Sequence, residues 1–370
     1  MAKRANSEGS VYRRKGDGLY VATLRLENGT RRAFAGRTRA IATAKAEAAK
    51  AEIIRTGSLA TGRESAGAYL ARWVESIRAT VRPNTHDGYE RTLRLHVIPE
   101  LGHIALRRLG PADLAAAYQR MLDKGLSPRS VQLAHVILHR ALRQAERWGL
   151  VNRNVARLVD PPRPERTEIR PLSPDELRTL LEAARGDHHE ALYVVAVTTG
   201  MRWGELTGLR WRDVDLAAGV VTVRQQAQRT RGGWAFVEPK TAKGRRAITI
   251  PALAVAALRQ QRGDGDAVVQ LPIPDALVFP NEAGRPLERQ NFARRHFRPL
   301  LDRAGLRPIR FHDLRHSAAT LLLSEGVHPK VVQERLGHAT ISTTMDIYSH
   351  VMPTMQQETA ARLDRFFEAG

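Results

Sequence analysis

The amino-acid sequence predicts a multidomain fold. We expect a small β-sheet-plus-helix N-terminal domain at residues 1–60, an all-α domain at 61–160, a linker at 161–171, and a mixed α+β, mainly helical domain at 172–370. Three observations predict this division. Hairpin signals are concentrated in the first part, apolar residues recur at helical spacing through the second, and strand-like runs stand between helical runs in the last.

Short alternating runs separated by tight turns mark the N-terminal domain. The runs are VYRR, LYVATLRL and RRAFAG, and the segments between them are KGDG and ENGT. Asp-Gly and Asn-Gly are strong hairpin signals, so we expect a three-stranded antiparallel sheet. The following run, RAIATAKAEAAKAEIIRTG, predicts one helix that stops at Gly57. A sheet this small needs such a helix packed against it.

Apolar residues at a spacing of 3.6 indicate helices in the second domain. One helix face carries Tyr69, Leu70, Trp73, Val74 and Ile77. Pro83 and Pro111 lie near helix starts, where proline is tolerated, and a long helix follows Pro128. The segment PPRPERTEIRP at 161–171 contains four prolines, which stiffen and extend a chain, and it therefore predicts a linker.

The last domain alternates between helical and strand-like patterns. Ser173 followed by Glu176 forms a capping-box pattern, and helices are expected from there to about Leu209. The runs VVTVRQQAQ, WAFVEPK and RRAITI resemble strands, with a turn in RTRGG. Helices resume from about Pro251, and the amphipathic run TMQQETAARLDRFFEAG predicts a C-terminal helix.

The charge balance points to a polyanionic partner. The chain has 59 Lys and Arg against 38 Asp and Glu, a formal net charge of +21. A field of this strength attracts nucleic acid. There is no apolar run of the roughly 20 residues that span a bilayer, and no apolar segment follows the basic N-terminus, so we expect neither membrane nor secretion. The absence of cysteine excludes disulfides, thiolate nucleophiles and cysteine zinc sites.

Five short segments carry residues with catalytic potential. They are TTGMRWGEL around Arg202, EPKTAKGRR around Lys240, FHDLRHSAAT around His312 and Arg315, ERLGHAT around His338, and TTMDIYSHV around Tyr348. Together they suit displacement at a phosphodiester, which is an anionic and poor electrophile. Arg202 and Arg315 would hold the non-bridging oxygens, because a guanidinium makes two hydrogen bonds to phosphate and stays charged.

The remaining groups supply a nucleophile and proton transfer. Tyrosine leaves more readily than a sugar alkoxide, so a link between Tyr348 and phosphate would be reversible. Lysine can be tuned to act as a general acid, whereas arginine holds its proton too tightly. We assign Lys240 to this role, with Lys243 three residues later as the alternative. We assign His312 to accept the tyrosine proton and His338 to hydrogen-bond the phosphate.

The order and spacing of these segments strongly resemble the tyrosine recombinase, or phage integrase, family. That family has an Arg in a TG-x-R-x-x-E-L box, a hairpin Lys, an H-x-x-R box, a later LGH and then the nucleophilic Tyr. The matching segments here are TGMRWGEL, PKT, HDLRH and LGHATISTTMDIYSHV, the last of which places Tyr348 ten residues after His338. The resemblance makes Glu205 and His316 supporting residues. It implies chemistry without cofactors, and position 313 is Asp where a zincin would have Glu, so we expect no metal.

The resemblance also implies a mechanism and partners. Tyr348 would form a 3′-phosphotyrosyl link, and a 5′-hydroxyl from a partner strand would resolve it. Residues 61–160 resemble the core-binding domain, and residues 1–60 resemble the arm-type DNA-binding domain of lambda-like integrases. DNA-binding residues would then include Arg13, Arg14, Arg31 and Arg32. Expected partners are double-stranded DNA attachment sites, a homotetramer in synapsis, and an excisionase or DNA-bending host factor.

Three functions fit this pattern. The first is an integrase that inserts or excises a mobile element, and the basic first 60 residues favour it. The second is a chromosome-dimer resolvase or a type IB topoisomerase-like enzyme with the same chemistry. The third is a non-catalytic DNA-binding protein of recombinase descent, which would lack part of the catalytic set. The Arg-rich and Ala-rich composition suggests a GC-rich bacterial source. In each case we expect a cytoplasmic protein that is associated with the nucleoid.

Overall fold

The computed structural model describes most of the chain. The described residues are 10–25, 31–56, 64–165, 170–239, 244–263, 274–342, 344–345, 364 and 367–368. Contacts along the chain divide it into two compact units, Met1–Arg166 and Thr167–Gly370. Within the described ranges, no helix is long and apolar enough to cross a membrane.

A three-stranded antiparallel sheet begins the first unit. Its strands are β1 (Val11–Arg13), β2 (Tyr20–Arg25) and β3 (Arg31–Gly36), in that spatial order. Helix α1 (Arg39–Thr56) packs against β2 and β3. The sheet is the one that the hairpin signals predict, and the helix is the one predicted from the run that follows them. Gly57, the expected helix stop, lies outside the described residues.

Helices make up the rest of the first unit. They are α2 (Ala66–Ser76), α3 (Pro83–Thr92), α4 (Ile98–Leu101), α5 (Pro111–Asp123) and α6 (Pro128–Arg147). Their apolar faces enclose one core, in which Tyr69 and Trp73 are almost fully buried. The Tyr69 hydroxyl donates to the Ala141 carbonyl of α6 at 2.6 Å, so the one polar atom of this ring is satisfied inside the core.

Two helices contain π-helical segments, and a proline explains each. The segments are Leu93–Val97, between α3 and α4, and Ala293–Phe297 in the second unit. Pro99 and Pro299 follow two residues later. Proline has no N–H and clashes with the carbonyl four residues earlier, and a wider turn relieves that contact. The sequence patterns did not predict these segments.

The second unit combines helices with two small sheets. Its helices are α7 (Pro174–Ala183), α8 (Glu190–Thr199), α9 (Trp203–Thr207), α10 (Ala252–Arg262), α11 (Arg289–Phe292), α12 (Arg298–Arg303), α13 (Asp313–Ser324) and α14 (Pro329–Leu336). Its strands are β4 (Val214–Asp215), β5 (Val220–Val223), β6 (Gln226–Thr230), β7 (Gly233–Val237) and β8 (Arg246–Thr249). Helix α8 lies at the centre of the core and contacts α10 and α13. The predicted capping box is present, because Ser173 Oγ accepts from the Glu176 N–H and Glu176 accepts from the Ser173 N–H.

The strand-like run VVTVRQQAQ belongs to two strands rather than one. Its first half, β5, pairs with β4 and β8, whereas β6 pairs with β7 in a separate hairpin. The division falls at Arg224 and Gln225, where the Gln225 side-chain amide donates to the Gly208 carbonyl at 2.8 Å. The β6–β7 hairpin lies against α9, which carries Glu205.

Candidate active site

Arg315 lies in the first turn of α13 and is almost fully buried, with 4% exposure. Its Nη1 donates to the Gly200 carbonyl at 2.6 Å and its Nη2 donates to the Leu336 carbonyl at 2.7 Å. Burial, followed by the charge of the neighbouring Arg202, lowers the pKa of Arg315 to about 9. Holding the positive charge of Arg315 at this buried position therefore costs free energy unless an anion lies nearby.

Arg202 and Glu205 form a pair at the start of α9. Arg202 Nη1 donates to Glu205 Oε1 at 2.7 Å, and the Arg202 backbone N–H donates to Oε2 at 3.0 Å. The Arg202 side chain is 38% exposed, whereas that of Glu205 is 2% exposed. The guanidinium therefore reaches solvent while the carboxylate fixes it from below.

A third arginine, Arg246 at the start of β8, completes the environment of this carboxylate. Its Nη2 donates to Glu205 Oε2 at 2.9 Å and its Nη1 donates to Oε1 at 3.3 Å. Burial raises the pKa of Glu205, but the hydrogen bond and charge of Arg246 and the charge of Arg202 outweigh it, and the net shift is downward. Arg246 was missed at the sequence level, although period-two alternation places it on the same inward face as the buried Ile248.

The C-terminal end of α14 joins these three arginines. Gly337 follows the helix in the left-handed conformation, with φ at 67°. Three consecutive carbonyls at this end each accept from a different arginine: Arg335 from Arg246 at 2.6 Å, Leu336 from Arg315 at 2.7 Å, and Gly337 from Arg202 at 3.0 Å. The last carbonyls of a helix lack partners within it and carry partial negative charge, so cations suit this position.

His338 follows directly and is also buried, with 7% exposure. Its backbone N–H donates to the Gln333 carbonyl at 3.1 Å, and its Nδ1 lies 2.9 Å from the Thr344 hydroxyl. Burial, followed by the charges of Arg315 and Arg202, lowers the pKa of His338 to about 3. The imidazole is therefore neutral at physiological pH.

His312 and His316 lie one turn apart at the start of α13, with ring centroids 5.3 Å apart and the rings nearly perpendicular. His312 is exposed to solvent on one side. Desolvation by the protein on its other side lowers its pKa, and the charges of His316 and Arg315 lower it as well. Burial likewise lowers the pKa of His316. The Asp313 carboxylate between them is held by Arg310, whose Nη2 donates to it at 2.8 Å.

Three expected residues lie outside the described residues. They are Tyr348, Lys240 and Lys243. Both lysines belong to residues 240–243, which connect the region after β7 to the region before β8. Within the described residues, strands β7 and β8, which come before and after this segment, belong to different sheets.

Three of the four arginines expected to bind DNA lie on strands of the small N-terminal sheet, and the fourth, Arg14, lies beside it. Arg13 and Arg31 are exposed on β1 and β3, and Arg32 is partly exposed. Arg14 is exposed but forms an ion pair with Asp17 in the turn after β1. Part of the Arg14 charge is therefore already neutralised, whereas Arg31 lies on the outer strand of the sheet.

The site has an excess of positive charge. Within the described residues, Arg202 and Arg246 share one carboxylate, that of Glu205, whereas the guanidinium of Arg315 donates only to neutral carbonyls. Buried charges are stable when they are paired. The arrangement thus favours binding of an anion beside the partly exposed Arg202.

Comparison with known proteins identifies the family. A model described as the phage integrase family matches residues 170–355, about half of the chain, including the positions of all six expected catalytic residues. The chain belongs to the phage integrase family. A second model, for the SAM-like N-terminal domain of phage integrases, matches residues 67–122. The resemblance inferred from the motifs is confirmed, and the chain is a site-specific tyrosine recombinase.

Individual relatives agree with this assignment. The XerC-like tyrosine recombinase of Caldanaerobacter subterraneus subsp. tengcongensis is 28% identical, over 99% of this chain and 100% of that relative. The Tn1549 transposon integrase, solved with a circular intermediate DNA, superposes with a TM-score of 0.65 at 24% identity, over 78% of this chain and 99% of that one. The lambda integrase tetramer bound to a Holliday junction gives 0.59 at 19% identity, over 93% and 96%. These integrase structures share the fold of this family member.

Proposed function

We propose that this recombinase is an integrase that inserts or excises a mobile element through a 3′-phosphotyrosyl intermediate. The observation that carries this proposal is the cluster of three arginines with one carboxylate at the end of α14. A scissile phosphate would supply the anion that the cluster lacks. The mobile-element setting is supported by the likeness to the Tn1549 transposon integrase.

In this mechanism Arg202 and Arg315 bind the non-bridging oxygens of the scissile phosphate. Positive groups that are fixed before reaction stabilise the charge of the transition state without reorganisation. Glu205 supports the reaction by orienting Arg202. His338 adds a hydrogen bond from its second ring nitrogen, Nε2, when Thr344 donates to its Nδ1.

Tyr348 is the proposed nucleophile. Its phenolic oxygen forms a bond to phosphorus while the bond from phosphorus to the sugar O5′ breaks. His312, neutral because its pKa is lowered, accepts the phenolic proton, and His316 supports it by ring contact. Lys240, or Lys243 in the same connecting segment, gives a proton to the departing O5′. A 5′-hydroxyl then attacks the phosphotyrosine, and the phenol is released.

Tyr348→Phe tests the nucleophile directly. A suicide DNA substrate, nicked so that the 5′-hydroxyl fragment diffuses away, traps the covalent adduct, which runs as a shifted band in a denaturing gel. We expect no adduct with Tyr348→Phe and a normal yield with Tyr12→Phe, because Tyr12 is an exposed tyrosine of β1. An adduct of undiminished yield with Tyr348→Phe contradicts the assignment.

The partners follow from the same proposal. We assign residues 1–60 to arm-type DNA, through Arg13, Arg14, Arg31 and Arg32, residues 61–160 to core-type DNA, and residues 172–370 to catalysis. Two attachment sites would be joined by a homotetramer, as the lambda tetramer on a Holliday junction suggests. An excisionase or DNA-bending host factor would set the direction. Recombination between full attachment sites should fail without residues 1–60, and unchanged recombination would refute the arm-binding role.

A chromosome-dimer resolvase is the second candidate. The observation in its favour is the XerC-like relative, which aligns over its whole length. The two functions differ in the DNA they need. A resolvase acts on a short core site present in the host chromosome, whereas an integrase acts on the attachment sites of a mobile element, which become its junctions after insertion. Sequencing the covalent adducts formed on genomic DNA distinguishes them by the position of the cleaved site.

A further inference from the structure

We propose that Arg246 is a positioning residue for strand cleavage, which links the phosphate-binding Arg202 to the segment that carries the candidate acid lysines. This inference rests on the proposed roles of Arg202 and Lys240. It adds a residue that makes no contact with DNA in that mechanism and acts through two other groups.

The first link runs through Glu205. The Arg246 guanidinium faces both oxygens of this carboxylate, at 2.9 and 3.3 Å. Both side chains are buried, at 7% and 2% exposure, so water does not loosen the contact. A fork that engages both carboxylate oxygens fixes their plane. That plane in turn sets the direction of the Glu205 contact with Arg202 Nη1.

The second link runs to the lysine segment. Arg246 Nη1 also donates to the Gly244 carbonyl at 3.1 Å, and Gly244 directly follows residues 240–243. One nitrogen therefore contacts both Glu205 and the residue that follows this segment. Its Nε is anchored separately, to the Arg335 carbonyl of α14 at 2.6 Å. A shift of Arg246 would therefore disturb both the Glu205–Arg202 pair and the backbone at Gly244, the residue next to the lysine segment.

The neighbouring Arg245 provides a matched control. It stands beside Arg246 in the chain and carries the same charge, but its side chain is 58% exposed and pairs with the exposed Glu238. Arg245→Gln therefore removes the same charge from the same segment without touching Glu205. We expect Arg245→Gln to cleave bound DNA within about twofold of wild type, since exposed ion pairs contribute little.

Single-turnover cleavage of a saturating suicide substrate is the primary measurement. Arg246→Gln should lower the cleavage rate by at least about tenfold, because small misplacements of reacting groups cost up to a hundredfold. The Kd for DNA should stay within about twofold, which separates positioning from affinity. The loss should not multiply with that of Glu205→Gln, since both variants break the same link. An unchanged rate, a loss confined to Kd, or full multiplication of the two losses each overturns the proposal.

A substrate with sulfur in place of the scissile O5′ separates the two links. A thiolate departs without a proton, so this substrate bypasses the general acid. With this substrate, the part of the lost cleavage rate of Arg246→Gln that acts through the lysine segment should be restored. The part that acts through Glu205 should remain lost. Complete restoration contradicts the Glu205 link, and no restoration contradicts the lysine link. Lys240→Ala and Lys243→Ala on both substrates test the acid itself, so its failure is seen independently of Arg246.

Arg246→Lys covers the case in which Arg246→Gln does not fold. Lysine keeps the charge that offsets Glu205 but lacks the fork that reaches two oxygens and two carbonyls. Thermal unfolding followed by circular dichroism establishes that the variant is folded. A folded Arg246→Lys protein with a lowered rate and an unchanged Kd supports positioning. A wild-type rate shows that charge alone is sufficient and overturns the inference.

Discussion

Replacing Glu205 with glutamine, which has nearly the same size, should strongly destabilise the second unit. The carboxylate accepts from Arg202 Nη1 at 2.7 Å, from Arg246 at 2.9 and 3.3 Å, and from a backbone N–H at 3.0 Å. Glutamine retains one oxygen and turns an NH2 group toward these donors. Two guanidinium groups thereby lose their shared counter-ion inside the protein.

The size of the effect follows from burial. Removing one partner of a buried ion pair costs about 3–5 kcal/mol in unfolding free energy. Arg246 keeps its bonds to two carbonyls, and Arg202 is partly hydrated, so the lower end, about 3 kcal/mol, applies. For a unit of about 200 residues this corresponds to a Tm lower by roughly 6–12 °C. Glu182→Gln, an exposed carboxylate on α7, should change unfolding free energy by less than about 0.5 kcal/mol.

The pH dependence gives an independent check. The pKa of Glu205 is lowered in the folded state, so its contribution is fully present above the unfolded pKa of about 4.3 and is lost as pH falls through the folded value. The Tm difference between wild type and Glu205→Gln should be constant from pH 8 to 6 and shrink below pH 4.3. Thermal melts across this range measure it. A Glu205→Gln Tm that differs from wild type by no more than the Glu182→Gln control at pH 7 would refute the buried ion-pair reasoning.

Three further predictions address separate parts of the chain. Gly200→Ala should destabilise the protein more than Gly305→Ala, because both glycines have φ near +64° but only an alanine at 200 would place its Cβ 2.3 Å from Leu336. Comparing the Tm values of the two variants isolates that clash. The stability of the wild type should fall as pH drops from about 6.5 toward 3, because His338 stays neutral in the folded state but gains a proton in the unfolded state. In thermal melts, His338→Gln should weaken this dependence of Tm on pH. Arg31→Ala should lower the salt slope of arm-type DNA binding by about one, and an unchanged slope in a titration contradicts that contact.

The sequence predicts the chemistry of the site better than it predicts the pairing of the strands. The boxes around Arg202, Arg315 and His338 are short and local, and each is placed by one helix end, so their spacing survives any error in the strands between them. The run VVTVRQQAQ shows the limit. Period-two alternation predicts strand structure but not the partner, and here the two halves of one run join different sheets.

Arg246 shows a second limit. An arginine at the start of a strand usually faces solvent, so the alternation of the run RRAITI is by itself a weak reason to place one in the interior. Its burial depends on Glu205, 41 residues earlier, and on the carbonyl of Arg335, 89 residues later. A contact of this kind is set by tertiary structure. The alternation that pairs Arg246 with the inward Ile248 was the available signal.

The LGH segment has a physical reason beyond its use as a family signature. The N–H groups of Gly337 and His338 donate back to the carbonyls of Glu334 and Gln333, as in a Schellman motif, and this requires the left-handed glycine. The motif leaves the carbonyls of residues 335–337 without helical partners. Those three carbonyls accept from Arg202, which precedes α9, from Arg315 of α13 and from Arg246 of β8. The helix end therefore orients the arginines, and the same turn buries His338 beside them. Glycine at position 337 is therefore needed for the geometry of the whole cluster. His338, from which the spacing to Tyr348 is counted, directly follows a helix end that three separate elements hold in place.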